Sequence, residues 1–423
     1  MKASRAAKEY WKTLGPGLVT GAADDDPSGI ATYSQIGARS GFGLIWLSVL
    51  TYPLMSVVQE MCARIGIVTG VGLAANIKRH YPAKALYFCT LLLLCANVFN
   101  IGADLGAMAE STRLILPYAN YALLVIFFGL FSLILQIFVP YKKYSKVLKF
   151  LALSLVAYIF SAILVKINWP EAVGHAFVPA LHFSKGEIIL ICAALGTTIS
   201  PYLFFWQSSQ EVEEEIMKGE LTEDDRRSGA SPETLKKMRT DVWSGMLFSN
   251  LVMFFIIAAA AGTLFASGIT NINTAGDAAL ALRPFAGNLA FWVFALGIIG
   301  TGLLSIPVLS GSASYAVSES FGWSEGLYQK WKQAAAFYTV IALSMVAGIA
   351  FNFFGFDPIK MLIYSAVLNG IIAPIILFFV IRLSSRADVM GGFRSSRLSI
   401  LFGWITAGIM LVAGVMAIVS LLV

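Results

Sequence analysis

Charge is scarce in this chain: Asp, Glu, Lys and Arg make up 13% of 423 residues, while 58% are hydrophobic. Soluble domains carry about 25% charged residues, so this composition excludes a soluble globular protein and defines an integral membrane protein. Histidine is scarcer still. His80, His175 and His182 are the only three, and each reads as a loop residue, which leaves no histidine relay across an apolar core. The four cysteines (Cys62, Cys89, Cys95, Cys192) fall in or beside apolar runs. With no pair in a loop, they read as small buried hydrophobes and not as a disulfide framework. No phosphate loop or cytoplasmic domain is visible, which excludes ATP-driven pumping in cis. No nucleophile, catalytic base or cofactor motif points to an enzyme, and no resident cofactor is expected. The first apolar run opens with Gly15-Pro16-Gly17 and leads into acids, so a cleavable signal peptide is not expected either.

What the chain has in abundance is membrane-length apolar sequence. A helix crosses a bilayer in about 20 residues. Eleven such runs occur, near 14–39, 42–66, 85–111, 117–139, 147–168, 186–209, 241–266, 288–316, 333–354, 358–382 and 398–422. Basic residues cluster at the N-terminus (Lys2, Arg5, Lys8, Lys12) and before spans three, five, seven, nine and eleven. If eleven spans alternate, these clusters share one side. That places the N-terminus in the cytoplasm and the C-terminus outside a plasma (inner) membrane. The formal charge of +6 is therefore a topology signal. It is scattered over several segments and forms no nucleic-acid face. The acid-rich segment 210–239 reads as a solvated connection with some helix.

The first run contains an anomaly, Asp24-Asp25-Asp26-Pro27-Ser28-Gly29, with Asp26 near its midpoint. A carboxylate at bilayer depth is costly and by default marks a functional site. Pro27 removes a backbone donor and Gly29 permits unusual dihedrals, so the helix is expected to break. Broken backbone at that depth survives only where it is buried in protein or lines a watery cavity. A second anomaly, Gly196-Thr197-Thr198-Ile199-Ser200-Pro201-Tyr202, interrupts span six. Alone it could be a simple proline kink. Two interrupted spans at matching places in two halves point to a transporter site built from inverted repeats. The expected organisation is a cytoplasmic segment 1–13, a five-helix repeat 14–168, an inverted repeat 186–382 and an eleventh helix 398–422.

The first half-helix of each broken span points its C-terminal end, with partial negative charge and unpaired carbonyls, at the break. With Asp26 this describes a cation site. The donors at hand are the Asp26 carboxylate, backbone around Gly29, and oxygens of Thr197 and Ser200. No Met, Cys or His lies in either break. All-oxygen sites suit magnesium, calcium and manganese, and magnesium is commonly held through retained waters. Asp24 and Asp25 either bind such waters or serve a vestibule or helix-end role.

At these residues the chain resembles the NRAMP family of divalent-metal transporters over essentially its whole length. The family's Asp-Pro-Gly-Asn aligns with Asp26-Pro27-Ser28-Gly29, and its Met-Pro-His with Ser200-Pro201-Tyr202. Gln59-Glu60-Met61-Cys62 in span two, Gly102-Ala103-Asp104-Leu105-Gly106 in span three and Ile306-Pro307-Val308-Leu309-Ser310 in span eight add support. The resemblance implies an all-α, LeuT-like inverted repeat of five plus five helices, with helices one and six broken, plus an eleventh transmembrane helix. It also implies a single-chain carrier with metal as cargo. The departures are equally informative. Gly29 replaces a metal-binding asparagine, and Ser200 replaces the methionine that favours manganese and iron. Tyr202 and Gln207 replace histidines, and Ala107 replaces the second acid of a pair that retains Asp104. This pattern is similar to the NRAMP-related magnesium transporters, which implies hydrated magnesium without proton coupling.

Other residues carry two readings each. Asp104 is a relay or a charge partnered with arginine or serine between helices. Asn369 faces the metal or bonds a neighbouring helix. Glu60 and Arg64, four apart, suit a helical ion pair, and Gly102 with Gly106 suits close helix packing. Gln59, Asp104, Tyr202, Gln207 and Asn369 are carried forward as residues around the site. Beside a magnesium carrier that accepts manganese, two classes stay open: a proton-coupled manganese or iron importer, and a sodium-coupled organic-solute symporter. Three acids in the first break would repel the carboxylate such a symporter commonly binds.

Overall fold

The computed structural model describes residues 14–139, 155–164, 167–179, 184–283 and 287–422. The basic residues expected at 1–13 and before span five, and His182, lie outside them. The described chain is helical, with no strand among the described residues. The helices are α1 Pro16–Asp24, α2 Pro27–Ser40, α3 Trp46–Thr69, α4 Leu73–His80, α5 Ala83–Ile115, α6 Tyr121–Phe138, α7 Val156–Leu164 and α8 Trp169–Phe177. There follow α9 Lys185–Thr198, α10 Pro201–Met217, α11 Glu223–Gly229, α12 Pro232–Thr263, α13 Ala290–Phe321, α14 Ala335–Phe351, α15 Pro358–Ser385 and α16 Arg397–Leu422.

Seven stretches among the described residues are long and apolar enough to cross a membrane: α5, α6, α9 with α10, α12, α13, α15 and α16. With α4, bent 72° from it, α3 makes an eighth. The pair α1–α2, the short α7 and the 17-residue α14 occupy the remaining expected positions. Local chemistry sets the boundaries. Prolines open α1, α2, α10, α12 and α15 at their first turns, where the missing N–H costs nothing. A left-handed Gly70 (φ 65°) closes α3.

Glycines bring the broken helices close to their neighbours. A Cβ on Gly21 would sit 2.3 Å from the Gly245 carbonyl oxygen, so α1 lies backbone to backbone on α12. A Cβ on Gly196 would meet the Ala366 oxygen at 2.0 Å, which fixes α9 against α15. Gly102 does the same for α5 and α14, with the Gly348 oxygen at 3.0 Å. Glu60 and Arg64 form the expected ion pair at 2.8 Å.

Four expectations are corrected. Segment 210–239 is not a solvated connection throughout: α10 runs on to Met217, and Glu211, Glu213 and Glu215 are buried on it. Glu211 and Glu213 tolerate burial because they find donors, whereas Glu215 Oε2 has none. Gln207 Nε2 donates to Glu211 at 2.8 Å, and the Leu327 and Tyr328 N–H groups and the Tyr315 hydroxyl donate to Glu213. The seventh span begins at Pro232, nine residues before the apolar run at 241, because Ser231 caps it. His80 ends α4 and His175 lies within α8, so neither is a loop residue. Cys95 is exposed on α5 and is not a core residue.

Candidate functional site

Both expected breaks are present. Asp24 ends α1, Asp25 follows as its C-cap, and Asp26 is the N-cap of α2 with extended backbone. All three are buried. Asp26 Oδ1 accepts from the Gly29 N–H at 2.7 Å and the Ser28 hydroxyl at 2.6 Å. Its Oδ2 accepts from Asn100 Nδ2 on α5 at 2.8 Å. The carboxylate is thus held in one orientation by three donors, none of them charged. In the second break α9 ends at Thr198, and Ser200 precedes Pro201 at the start of α10. Ser200 Oγ lies 2.6 and 2.7 Å from the Gly196 and Thr197 carbonyls and gives its one hydrogen to this pair.

The two breaks meet. A Cβ on Gly29 would lie 3.1 Å from Thr197 Oγ1 and 3.2 Å from the Asp24 carbonyl oxygen. Across the same junction the Tyr202 hydroxyl donates to the Ala23 carbonyl at 2.9 Å. Gly29, whose N–H is bonded to Asp26, therefore faces Thr197 across the junction, and Tyr202 ties the second break to the end of α1.

The remaining expected residues are more dispersed. Asp104 is buried one turn beyond Asn100 on α5, where Ser305 Oγ donates to its Oδ2 at 2.7 Å and its Oδ1 has no partner. The serine-partner reading is the one observed. Gln207 reaches along α10 to Glu211 and away from the breaks. Gln59 is fully buried with neither amide atom bonded, and Asn369 Oδ1 is likewise unpartnered. No hydrogen bond joins either of them to a break. Buried unsatisfied groups of this kind ask for water or an ion. Among the described residues, no set of three or more His, Cys, Asp or Glu side chains converges as a metal cluster. The junction offers one well-oriented carboxylate with hydroxyl and carbonyl oxygens around it.

Three residues at the junction escaped the sequence reading. Asn100 carried a usable signal, because it lies four residues before Asp104 and so on the same helical face. Ser28 sat inside the quoted motif. Ser249 on α12, which donates to Asp24 Oδ2 at 2.8 Å, carried none, since a serine in an apolar helix is commonplace.

Two interrupted helices meeting at buried oxygens inside a membrane-length bundle define a transporter of the LeuT-like inverted-repeat fold. Solved structures agree on that fold. A manganese transporter from Eremococcus coleocola superposes with a TM-score of 0.78 at 17% identity, covering 96% of this chain and 86% of that one. The nucleobase-cation-symport transporter Mhp1 follows at 0.58 and 16% identity, covering 96% and 90%. The divalent metal cation transporter MntH of Deinococcus radiodurans is 25% identical over 416 residues, 96% of this chain and 89% of its own length. The family model described as natural resistance-associated macrophage protein-like (Nramp) matches residues 17–420. The chain belongs to the Nramp family. It is a multi-pass divalent-metal transporter and not an enzyme, and the metal is cargo with no resident cofactor.

Proposed function

We propose that this transporter imports partly hydrated magnesium, and accepts manganese, across the plasma membrane by alternating access without obligatory proton coupling. The observation that carries this reading is the donor set at the junction. Asp26 is an oriented carboxylate bonded to the Gly29 N–H, Thr197 Oγ1 faces Gly29, Ser200 lies in the same break as Thr197, and neither break contains Met, Cys or His. Hard oxygen donors suit magnesium and manganese, and one carboxylate with hydroxyl oxygens suits an ion that keeps several waters. Asp26 and the oxygens of Gly29, Thr197 and Ser200 are assigned as ligands, direct or through water. Gln59, Asp104, Gln207 and Asn369 line the surroundings. Residues 14–168 and 186–382 form the two repeats, with the N-terminus cytoplasmic and the C-terminus outside.

Tyr202 supports the departure from proton coupling. Where the family has a histidine, this side chain is a phenol that bonds the Ala23 carbonyl, so it ties the two broken helices and offers no base near neutral pH. A second reading, a proton-coupled manganese importer, is favoured, as far as the metal goes, by the chain's similarity to the manganese transporter of Eremococcus coleocola. One experiment separates them: magnesium uptake, manganese uptake and internal pH followed in parallel in liposomes held at a negative internal potential. Magnesium uptake without acidification is expected. Acidification that saturates with metal and vanishes in Asp26→Ala would establish the second reading.

A further inference from the structure

Asp24 and Asp25 are not explained by the site just described. Asp26 has three donors of its own from α2 and α5. Asp24 and Asp25 instead turn to α12, where they share one hydroxyl. Ser249 Oγ lies 2.8 Å from Asp24 Oδ2 and 3.4 Å from Asp25 Oδ1. A hydroxyl has one hydrogen, and the shorter contact takes it. Asp24 Oδ1 and Asp25 Oδ2 have no partner at all, and both side chains are wholly inaccessible at 0% exposure.

Neither acid forms an ion pair with any described lysine, arginine or histidine. The C-terminal end of α1, which is the negative end of a helix dipole, adds to the same spot. Removing one charged group from water costs several kcal/mol, and two uncompensated adjacent carboxylates cost more. A single divalent ion at Asp26 balances two negative charges, but three aspartates sit in succession. The one side chain bonded to the pair, Ser249, offers a hard oxygen donor.

We propose that Asp24, Asp25 and Ser249 form a second cation site beside Asp26, for a hard divalent ion. The proposal presumes the transport reading for Asp26 but stands on different atoms, a different partner helix and an independent charge count. During transport it would be a second station along α1, occupied while a further ion sits at Asp26. Asp24 and Asp25 would then act as ligands and not merely as attractors in a vestibule.

The test counts manganese bound to the purified full-length protein by electron paramagnetic resonance, with the metal alone as probe. Wild type is expected to bind two ions per chain at saturation, close enough for their spins to couple. Asp26→Asn should keep one, and Asp24→Asn with Asp25→Asn should keep one. Ser249→Ala deletes a single hydroxyl with little risk to folding, and should weaken the second ion about tenfold. One ion in wild type, unchanged in the Asp24→Asn/Asp25→Asn protein, would mean that protons neutralise the pair and would overturn the proposal. An unchanged second affinity in Ser249→Ala would overturn it as well. Two ions retained in Asp26→Asn would count against the Asp26 assignment alone, because the double variant judges the second site separately.

Discussion

Replacing Asp26 with asparagine removes one charge and almost nothing else. Asparagine is as good an N-cap as aspartate, so its side-chain oxygen can keep the Gly29 N–H bond now at 2.7 Å. The new amide nitrogen would face Asn100 Nδ2, a donor meeting a donor. Asn100 Oδ1 has no partner at present, so turning that amide over restores the contact. The fold should therefore survive, with a thermal midpoint within a few degrees of wild type. Binding should not. A carboxylate and a divalent ion separated by one water, about 4.5 Å apart, attract by roughly 7 kcal/mol at an effective dielectric of about 20. Even half of that raises Kd several hundredfold, since each 1.4 kcal/mol is tenfold.

The assay is magnesium and manganese uptake into proteoliposomes beside calorimetric binding in detergent. Uptake should fall to the protein-free background, and the binding event assigned to Asp26 should disappear from the calorimetric trace. Wild-type magnesium stoichiometry and uptake in Asp26→Asn, in a protein that melts normally, would refute the placement of the ion beside this carboxylate.

Three further outcomes are expected. Asp241 accepts the N–H groups of Gly15, Gly17 and Leu18 at 2.8, 2.7 and 3.2 Å, so it clamps the start of α1 to α12; Asp241→Ala should cost about 2–3 kcal/mol, read as faster deuterium exchange across 15–24 without loss elsewhere. Gly29→Asn with Ser200→Met restores the family's donors and should move preference toward manganese and cadmium over magnesium in competition uptake; the Cβ at position 29 meets Thr197 Oγ1 at 3.1 Å, so a reduced maximal rate should accompany the change. Arg79 holds the Glu223 carboxyl below its usual range through two bonds of 2.6 and 2.7 Å; because the folded value is depressed, this contact between α4 and α11 stabilises above the ordinary carboxylate range and is lost as pH falls through the lower folded value, which exchange at 223–229 measured down to pH 3 would detect.

The parts of this molecule that the sequence made legible are those where chemistry contradicts its surroundings. Acids and prolines inside apolar runs located both breaks, because no other arrangement makes them tolerable at that depth. Contacts between distant segments were not legible. Tyr202 read as a lost histidine, and its bond to the Ala23 carbonyl exists only because α10 crosses the end of α1. Glu211, Glu213 and Glu215 read as solvated because acids in a polar stretch normally are. Glu213 is buried by the backbone of residues 327 and 328, more than a hundred positions away, which no local pattern encodes. Ser249 belongs to the same class, a hydroxyl whose meaning depends on which helix lies opposite.

Proton coupling would require a titrating path between Asp26 and Asp104, the acid one turn beyond Asn100 on α5. The group standing between them on that face is Asn100, whose amide donates to Asp26 Oδ2 at 2.8 Å. An amide is a donor that does not ionise, so it can orient the carboxylate but cannot pass a proton along. Asp104 itself is turned to Ser305 on α13, and Ala107 supplies no second acid. Without protons the membrane potential must drive accumulation. Two charges moved through 100 mV release about 4.6 kcal/mol, equivalent to a concentration ratio on the order of 10³. On the proposed magnesium reading, retaining the ion's water lowers the cost of taking it into the break, and no coupling route is needed.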